Sequence, residues 1–294
     1  MLVWLSLLWA LLPATMKAQT SSVLTMPREV SLQTVTYEPA DSMFIEQLLA
    51  DTTCNSPLDF ARRFIGRPYV AATLEVNDRE QLVVNTRQLD CTTLVETATV
   101  LALCHHRGLA TFADYASVLT EVRYRDGRLT DYASRLHYFS DWIRNKETMH
   151  LVSEVQQPKP PFTAEGKVNV SYMTTHPQAY RALREHPELL PLIEQQEKNL
   201  TGLRFRYIPK AQVKNTAALR AAVADGDILA ITCNKPGLDI AHVGIAAWHR
   251  DGLHLLNASQ LHKKVVEEPM TLGQYLSKHP SHTGIRVIRL EKIK

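Results

Sequence analysis

The chain holds no Cys-x-x-Cys and no His-Glu-x-x-His, so zinc-hydrolase and dithiol chemistry find no motif in it. His105 and His106 are consecutive on an expected helix and point about 100° apart, a poor arrangement for sharing one ion. A net charge of only +3 over 294 residues gives no reason to invoke nucleic acid. Internal repeats and low-complexity tracts are absent, the apolar run at the start is too short to span a bilayer comfortably, and no later stretch is long and apolar enough to do so. Hydrophobic content of 45% with 21% charged residues excludes wholesale disorder.

Leu2 to Pro13 is apolar and leads to small residues near Ala18, the pattern of a secretory signal peptide over residues 1–18, although no Lys or Arg precedes it. The expectation is an exported protein, periplasmic or extracellular. No Cys follows the apolar run, which disfavours a lipid anchor. In an exported protein Cys54, Cys91, Cys104 and Cys233 would by default form two disulfides. A free Cys91 would leave three others and so at most one bridge.

Residues 19–55 read as an extended lead-in ending in a short helix, with Asp41-Ser42 capping the apolar residues from Met43 to Leu49. Residues 56–294 read as a single catalytic domain. Ser56-Pro57 opens a helix that Gly66 ends. Leu82-Val83-Val84 is a short strand. Asp90 to His105 is the clearest helix, with Leu94, Val95, Ala98, Leu101 and Ala102 building one apolar face and Gly108 as a stop. From about 112 to 207 the pattern predicts a long helical insertion, with helices over Tyr132 to Arg144 and Tyr180 to Lys198. Strands follow at Asp227 to Ile231, His242 to Trp248, Leu253 to Ala258 and Ile285 to Leu290. Helices first and strands later predict an α+β fold with an antiparallel sheet.

Chemistry is best placed at Asp90-Cys91. With Asp90 as helix cap, Cys91 lies in the first turn, where free N–H groups and the helix dipole favour a thiolate. Cys104, near the far end of the same helix, lacks this advantage. A base must come from elsewhere. Arg250-Asp251-Gly252 turns one apolar strand into another, and a four-residue loop over 249–252 pairs Trp248 with Leu253. That pairing sets His242 and Asn257 as diagonal neighbours on one face, with backbones about 7–8 Å apart. Nucleophile, base and a polar group orienting the base make a cysteine-hydrolase arrangement. Taken singly, each residue has a blander reading: a buried thiol, a core histidine, a strand-end turn residue.

Five motifs occur in order: Gly66-Arg67-Pro68-Tyr69, Leu89-Asp90-Cys91-Thr92-Thr93, Gly226-Asp227-Ile228-Leu229, Ala241-His242-Val243-Gly244-Ile245 and Leu256-Asn257-Ala258-Ser259. Together they resemble the NlpC-type cell-wall cysteine peptidase superfamily, which has a papain-like fold. Asp-Cys-Thr-Thr with Ser134-Arg135-Leu136-His137-Tyr138-Phe139 is similar to its N-acetylmuramoyl-L-alanine amidase-like family. The resemblance covers residues 56–294. It implies a papain-like core, with the nucleophile at the N-terminus of a helix packed on an antiparallel sheet. It further implies Cys91 as nucleophile, His242 as general base and Asn257 as third polar residue. Tyr69 would hold the oxyanion or substrate beside the Cys91 N–H. Arg135 becomes a candidate to hold a peptide carboxylate, and Tyr138 and His137 to contact a sugar. Thr92-Thr93 depart from the superfamily's Ser-Gly. The implied reaction needs no metal or organic cofactor and takes peptidoglycan fragments (muropeptides), without stable membrane insertion. Its target is the amide between N-acetylmuramic acid and L-alanine or, as the alternative, the γ-D-glutamyl-diaminopimelate bond.

Overall fold

The computed structural model of the protein describes residues 30–291. The expected signal peptide and the start of the lead-in lie outside the described residues. The Asp41-Ser42 helix start gives way to one at Pro39. β1 (Val35–Thr36) leads into α1 (Pro39–Leu49), which is capped reciprocally by Glu38 and Asp41. Proline's fixed φ and missing N–H suit the first turn. Asp41 is fully buried because its other oxygen accepts from the Thr86 N–H (2.9 Å) and hydroxyl (2.7 Å). α2 (Pro57–Arg62) starts at Ser56 as expected, and β2 (Leu82–Val83) pairs in parallel with β1.

α3 (Cys91–Arg107) is the buried axis of the helical layer. Asp90 Oδ1 accepts from the Thr93 N–H at 2.8 Å, and Thr93 Oγ1 accepts from the Asp90 N–H at 2.9 Å. Gly108 ends the helix with φ of 67°, a left-handed geometry that glycine adopts without cost. α4 (Phe112–Arg123) packs on α3. A buried ion pair of Glu96 and Arg123 at 2.8 Å ties the two, and Arg123 also donates to the Val83 carbonyl at 2.6 Å. Val35, Ile45, Leu48 and Cys54 share this core, so the residues from Val35 onward pack as part of the helical layer.

The 112–207 segment is less helical than expected. Tyr132 to Arg144 splits into a short 3-10 turn (Tyr132–Ser134) and α5 (Phe139–Thr148), with extended backbone at Arg135 and Tyr138. The segment also supplies β3 (Val152–Glu154), β4 (Ala164–Lys167) and β5 (Arg204–Pro209). Between them lie α6 (Tyr172–Thr175), α7 (Arg181–Glu185) and α8 (Leu190–Leu200). The expected Tyr180 to Lys198 helix breaks after Glu185, where Pro187 forces the preceding residue out of helical geometry.

The rest completes the sheet. α9 (Ala217–Ala222) precedes β6 (Ile228–Cys233), β7 (Ile240–Trp248), β8 (Leu253–Ser259) and β9 (Lys264–Glu267). α10 (Leu272–Ser277) and β10 (His282–Leu290) follow. The strands run β4-β5-β10-β6-β7-β8-β9, with β3 also on β10, and every ladder in this sheet is antiparallel. The fold is α+β. Val243, Ile245, Leu256 and Ala258 face the core of α1–α4. Ile231, Ala246, Leu255 and Ile285 face a second core with α9 and α10. A third cluster, with Tyr138, Met173, Leu183 and Ile193, holds the 132–200 region together. No helix among the described residues is long and apolar enough to cross a membrane.

Candidate active site

Trp248 pairs with Leu253 and Ile245 with Leu256, the pairing a four-residue loop requires. His242 and Asn257 therefore share a face, and His242 Nε2 lies 2.9 Å from Asn257 Oδ1. His242 sits where the β6–β7 ladder skips a residue, an irregularity of the kind that re-aims a side chain. Its imidazole is also a hydrogen-bond partner of the Cys91 side chain. With Nε2 engaged by Asn257, the nitrogen left for the sulfur is Nδ1. Burial pulls the His242 pKa down, but the charge of Cys91, the hydrogen bonds to Cys91 and Asn257 and the nearby Glu268 carboxylate raise it above the ordinary histidine value.

Cys91 is the first residue of α3 and partly exposed. Of the early N–H groups of this helix, that of Thr93 is taken by Asp90 Oδ1 and that of Leu94 by the Asp90 carbonyl. Those of Cys91 and Thr92 remain at the cleft, which both residues line. Asp90 thus acts as the expected cap. Thr93, one of the two departures from Ser-Gly, closes the cap from the other side. The cleft encloses about 190 Å³ and is walled by His137, Tyr138, Met173, Tyr180 and Asp239. Cys104 is fully buried and its thiol is pushed up to about 12 by burial. All four cysteines are unpaired, so the default of two disulfides does not form, and no bridge joins the three beside Cys91. Among the described residues no group of three His, Cys, Asp or Glu is placed to hold a metal ion.

The remaining candidates divide. Tyr69 is bridged to Leu89, beside the cap, and burial and the charges of Cys91 and Asp90 raise its hydroxyl pKa. Tyr138 lines the cleft, but its hydroxyl donates to Glu197 Oε1 at 2.6 Å and accepts from the Met173 N–H at 3.0 Å. His137 bonds the Tyr132 carbonyl at 2.8 Å, and burial followed by Arg135 lowers its pKa to about 3, so it is neutral near pH 7. Arg135 lies outside the cleft lining. Its guanidinium stacks on Tyr132 and meets Glu75 at 2.6 Å and Glu80 at 3.4 Å, which already supply its carboxylates.

Three residues near the site escaped the sequence. Glu268 accepts from Asn257 Nδ2 at 3.0 Å. Asp239 accepts from the Ser140 N–H at 2.6 Å and so pins the start of α5 to the cleft wall. His282 is buried, its Nδ1 has no partner, and burial, His279 and His242 lower its pKa to about 4. Val265-Val266-Glu267-Glu268 reads as a strand edge with solvated acids, so nothing in its pattern marks Glu268.

Residues 59–285 match the sequence profile of the N-acetylmuramoyl-L-alanine amidase-like family. The fold is similar to a Bacteroides uniformis N-acetylmuramoyl-L-alanine amidase, with TM-score 0.76 and 38% identity over 81% of this chain and 100% of that one. It is also similar to a Bacteroides fragilis protein provisionally named a xylanase (TM-score 0.74, 42% identity, 79% and 100% covered). A Legionella pneumophila protein at 22% identity and TM-score 0.66, covering 85% and 94%, shares the fold. A comparison with curated proteins finds no match.

Proposed function

This chain belongs to the N-acetylmuramoyl-L-alanine amidase-like family, and from that premise we propose that it is a cell-wall amidase that uses Cys91 as nucleophile and His242 as general base. The observation that carries the reading is the chain of contacts from the first residue of α3 through His242 to Asn257. Thiol at a helix start, imidazole on a strand and amide on the next strand follow the order of the NlpC-type superfamily with its papain-like core. Action on the wall agrees with the export expected from residues 1–18. The named Bacteroides uniformis amidase favours the bond between N-acetylmuramic acid and L-alanine.

In the proposed reaction His242 Nδ1 takes the Cys91 proton and the thiolate attacks the amide carbonyl. The N–H groups of Cys91 and Thr92 meet the developing oxyanion, with Tyr69 alongside. The C–N bond breaks as the amine leaves with a proton from His242. Water, deprotonated by His242, then resolves the thioester and restores the thiol. A xylanase reading finds less support: glycoside hydrolysis uses a pair of carboxyl groups, and of the residues lining the cleft only Asp239 carries one, already bonded to Ser140.

Cys91→Ala is expected to abolish release of peptide from a muropeptide whose N-acetylmuramic acid carries L-alanine, with an unchanged thermal midpoint. Retained turnover would end the reading. Mass spectrometry of the wild-type products reads the bond directly, and cleavage after γ-D-glutamate would move the scissile position down the stem.

A further inference from the structure

We propose that Glu268 is a positioning residue for His242, acting through Asn257 to fix the base in its working tautomer and to stabilise its protonated form. This rests on the reading of Cys91 and His242 as nucleophile and base. Asn257 is fully buried, and an amide has one accepting and one donating end. Around its Nδ2 lie Glu268 Oε1 at 3.0 Å and the carbonyls of Leu255 and Val266 at 3.4 and 3.5 Å. All three are acceptors, so the NH2 group belongs there and the oxygen faces His242. An amide oxygen only accepts. His242 must therefore carry N–H on Nε2, and the neutral ring turns a lone pair on Nδ1 toward Cys91. A flipped amide would offer N–H to Nε2 and force the proton onto Nδ1, where the ring could not take one from sulfur.

Glu268 is the nearest of the three acceptors and the charged one. It is itself held: 2% exposed, with Oε2 at 3.2 Å from His262 Nε2 and its N–H donating to the Leu255 carbonyl at 2.9 Å. An anion thus stands behind a neutral amide. It favours imidazolium at His242 without being in line to receive its proton. The other ionisable groups in range are Cys91 of α3 and His282 of β10 at His242, and His262 and Tyr275 of α10 at Glu268.

Glu268→Gln keeps the shape and an accepting oxygen but removes the charge. In the full chain kcat is expected to fall about ten- to hundredfold with KM unchanged. In a Cys91→Ala background, where sulfur no longer contributes, adding Glu268→Gln is expected to lower the NMR titration midpoint of the His242 ring by about one pH unit. A folded variant with unchanged kcat and an unmoved titration overturns the proposal. If Glu268→Gln does not fold, the neutral His242 ring of the Cys91→Ala protein decides: a proton on Nε2 is expected, and one on Nδ1 overturns it. The ring measurements do not depend on turnover, so their failure is distinct from retained activity in Cys91→Ala, which would instead defeat the proposed function.

Discussion

At the scale of single residues, several side chains carry work that their type alone does not announce. Lys146 has no exposed surface, and its Nζ donates to the carbonyls of Glu121 and Tyr124 and to Asn145 Oδ1 at 2.5–2.8 Å. Three acceptors suit an ammonium, yet burial lowers its pKa to about 7 from the ordinary 10.5. Above 10.5 both folded and unfolded chains are neutral there. Between about 10.5 and 7 the unfolded chain binds a proton that the folded one does not, so stability falls as pH falls; below 7 the cost is constant. Compared with Lys146→Met, wild-type unfolding free energy from urea titrations should therefore rise with pH from 7.5 to 9.5, by up to about 1.4 kcal/mol per unit. Parallel curves for the two proteins would contradict this.

At the scale of elements, the β7–β8 hairpin is what turns two unremarkable residues into a pair. Gly244 lets its two strands approach. A Cβ there would lie 2.7 Å from both the Leu255 Cδ1 atom and the Leu256 carbonyl oxygen, and the latter is backbone that cannot rotate away. Gly244→Ala should cost about 1–3 kcal/mol in urea unfolding. Because the strain falls between His242 and Asn257, kcat should drop at least about tenfold at temperatures where the variant is fully folded. Wild-type kcat in the folded variant would show that the pair tolerates displacement of its strands. α3 makes the complementary contribution: its Asp90–Thr93 cap sets the helix start, and so the sulfur, to the residue.

At the scale of the whole molecule, the cleft lies where the helical layer, the sheet and the 132–200 cluster meet. Glu197, 4% exposed, holds that cluster to the cleft wall by accepting from Tyr138 Oη (2.6 Å), the N–H groups of Met173 and Thr174 (3.2 Å each) and the Thr174 hydroxyl. Glu197→Ala leaves the Tyr138 hydroxyl and the Thr174 N–H without their acceptor, at about 1–3 kcal/mol each, while the Met173 N–H keeps Tyr138 Oη and the Thr174 hydroxyl keeps the Ser171 carbonyl. Hydrogen exchange should accelerate across residues 168–203 while β6, β7 and β8 keep their protection, and KM should rise. Uniform acceleration over the whole chain would mean that the cluster and sheet unfold as one unit.

Local chemistry was legible in the chain because it is written at short range. The Asp90 cap, the apolar face of α3, the Gly108 stop and the 249–252 turn are each decided within a few residues, and the period-two pattern of β7 and β8 then dictates which side chains share a face. That is why Cys91 could be placed at a helix start, and His242 and Asn257 on one face of a hairpin, from the chain alone, while the roles proposed for them rest on the family resemblance. What the chain could not disclose depends on partners distant in sequence. Asp41 reads as a cap until Thr86 buries it, and Arg135 reads as a free cation until Glu75 and Glu80 close on it. The 112–207 segment looks helical until β10 recruits β3 and β5, since short edge strands draw their stability from a neighbour rather than from their own pattern. Glu268 is the sharpest case: only the pairing of β8 with β9, followed by the turn of the chain beyond it, brings a carboxylate to the donor end of a buried amide. The sequence by itself determined which residues could do chemistry; the tertiary structure decided which way their hydrogen bonds run, because direction is set by acceptors that arrive from elsewhere in the fold.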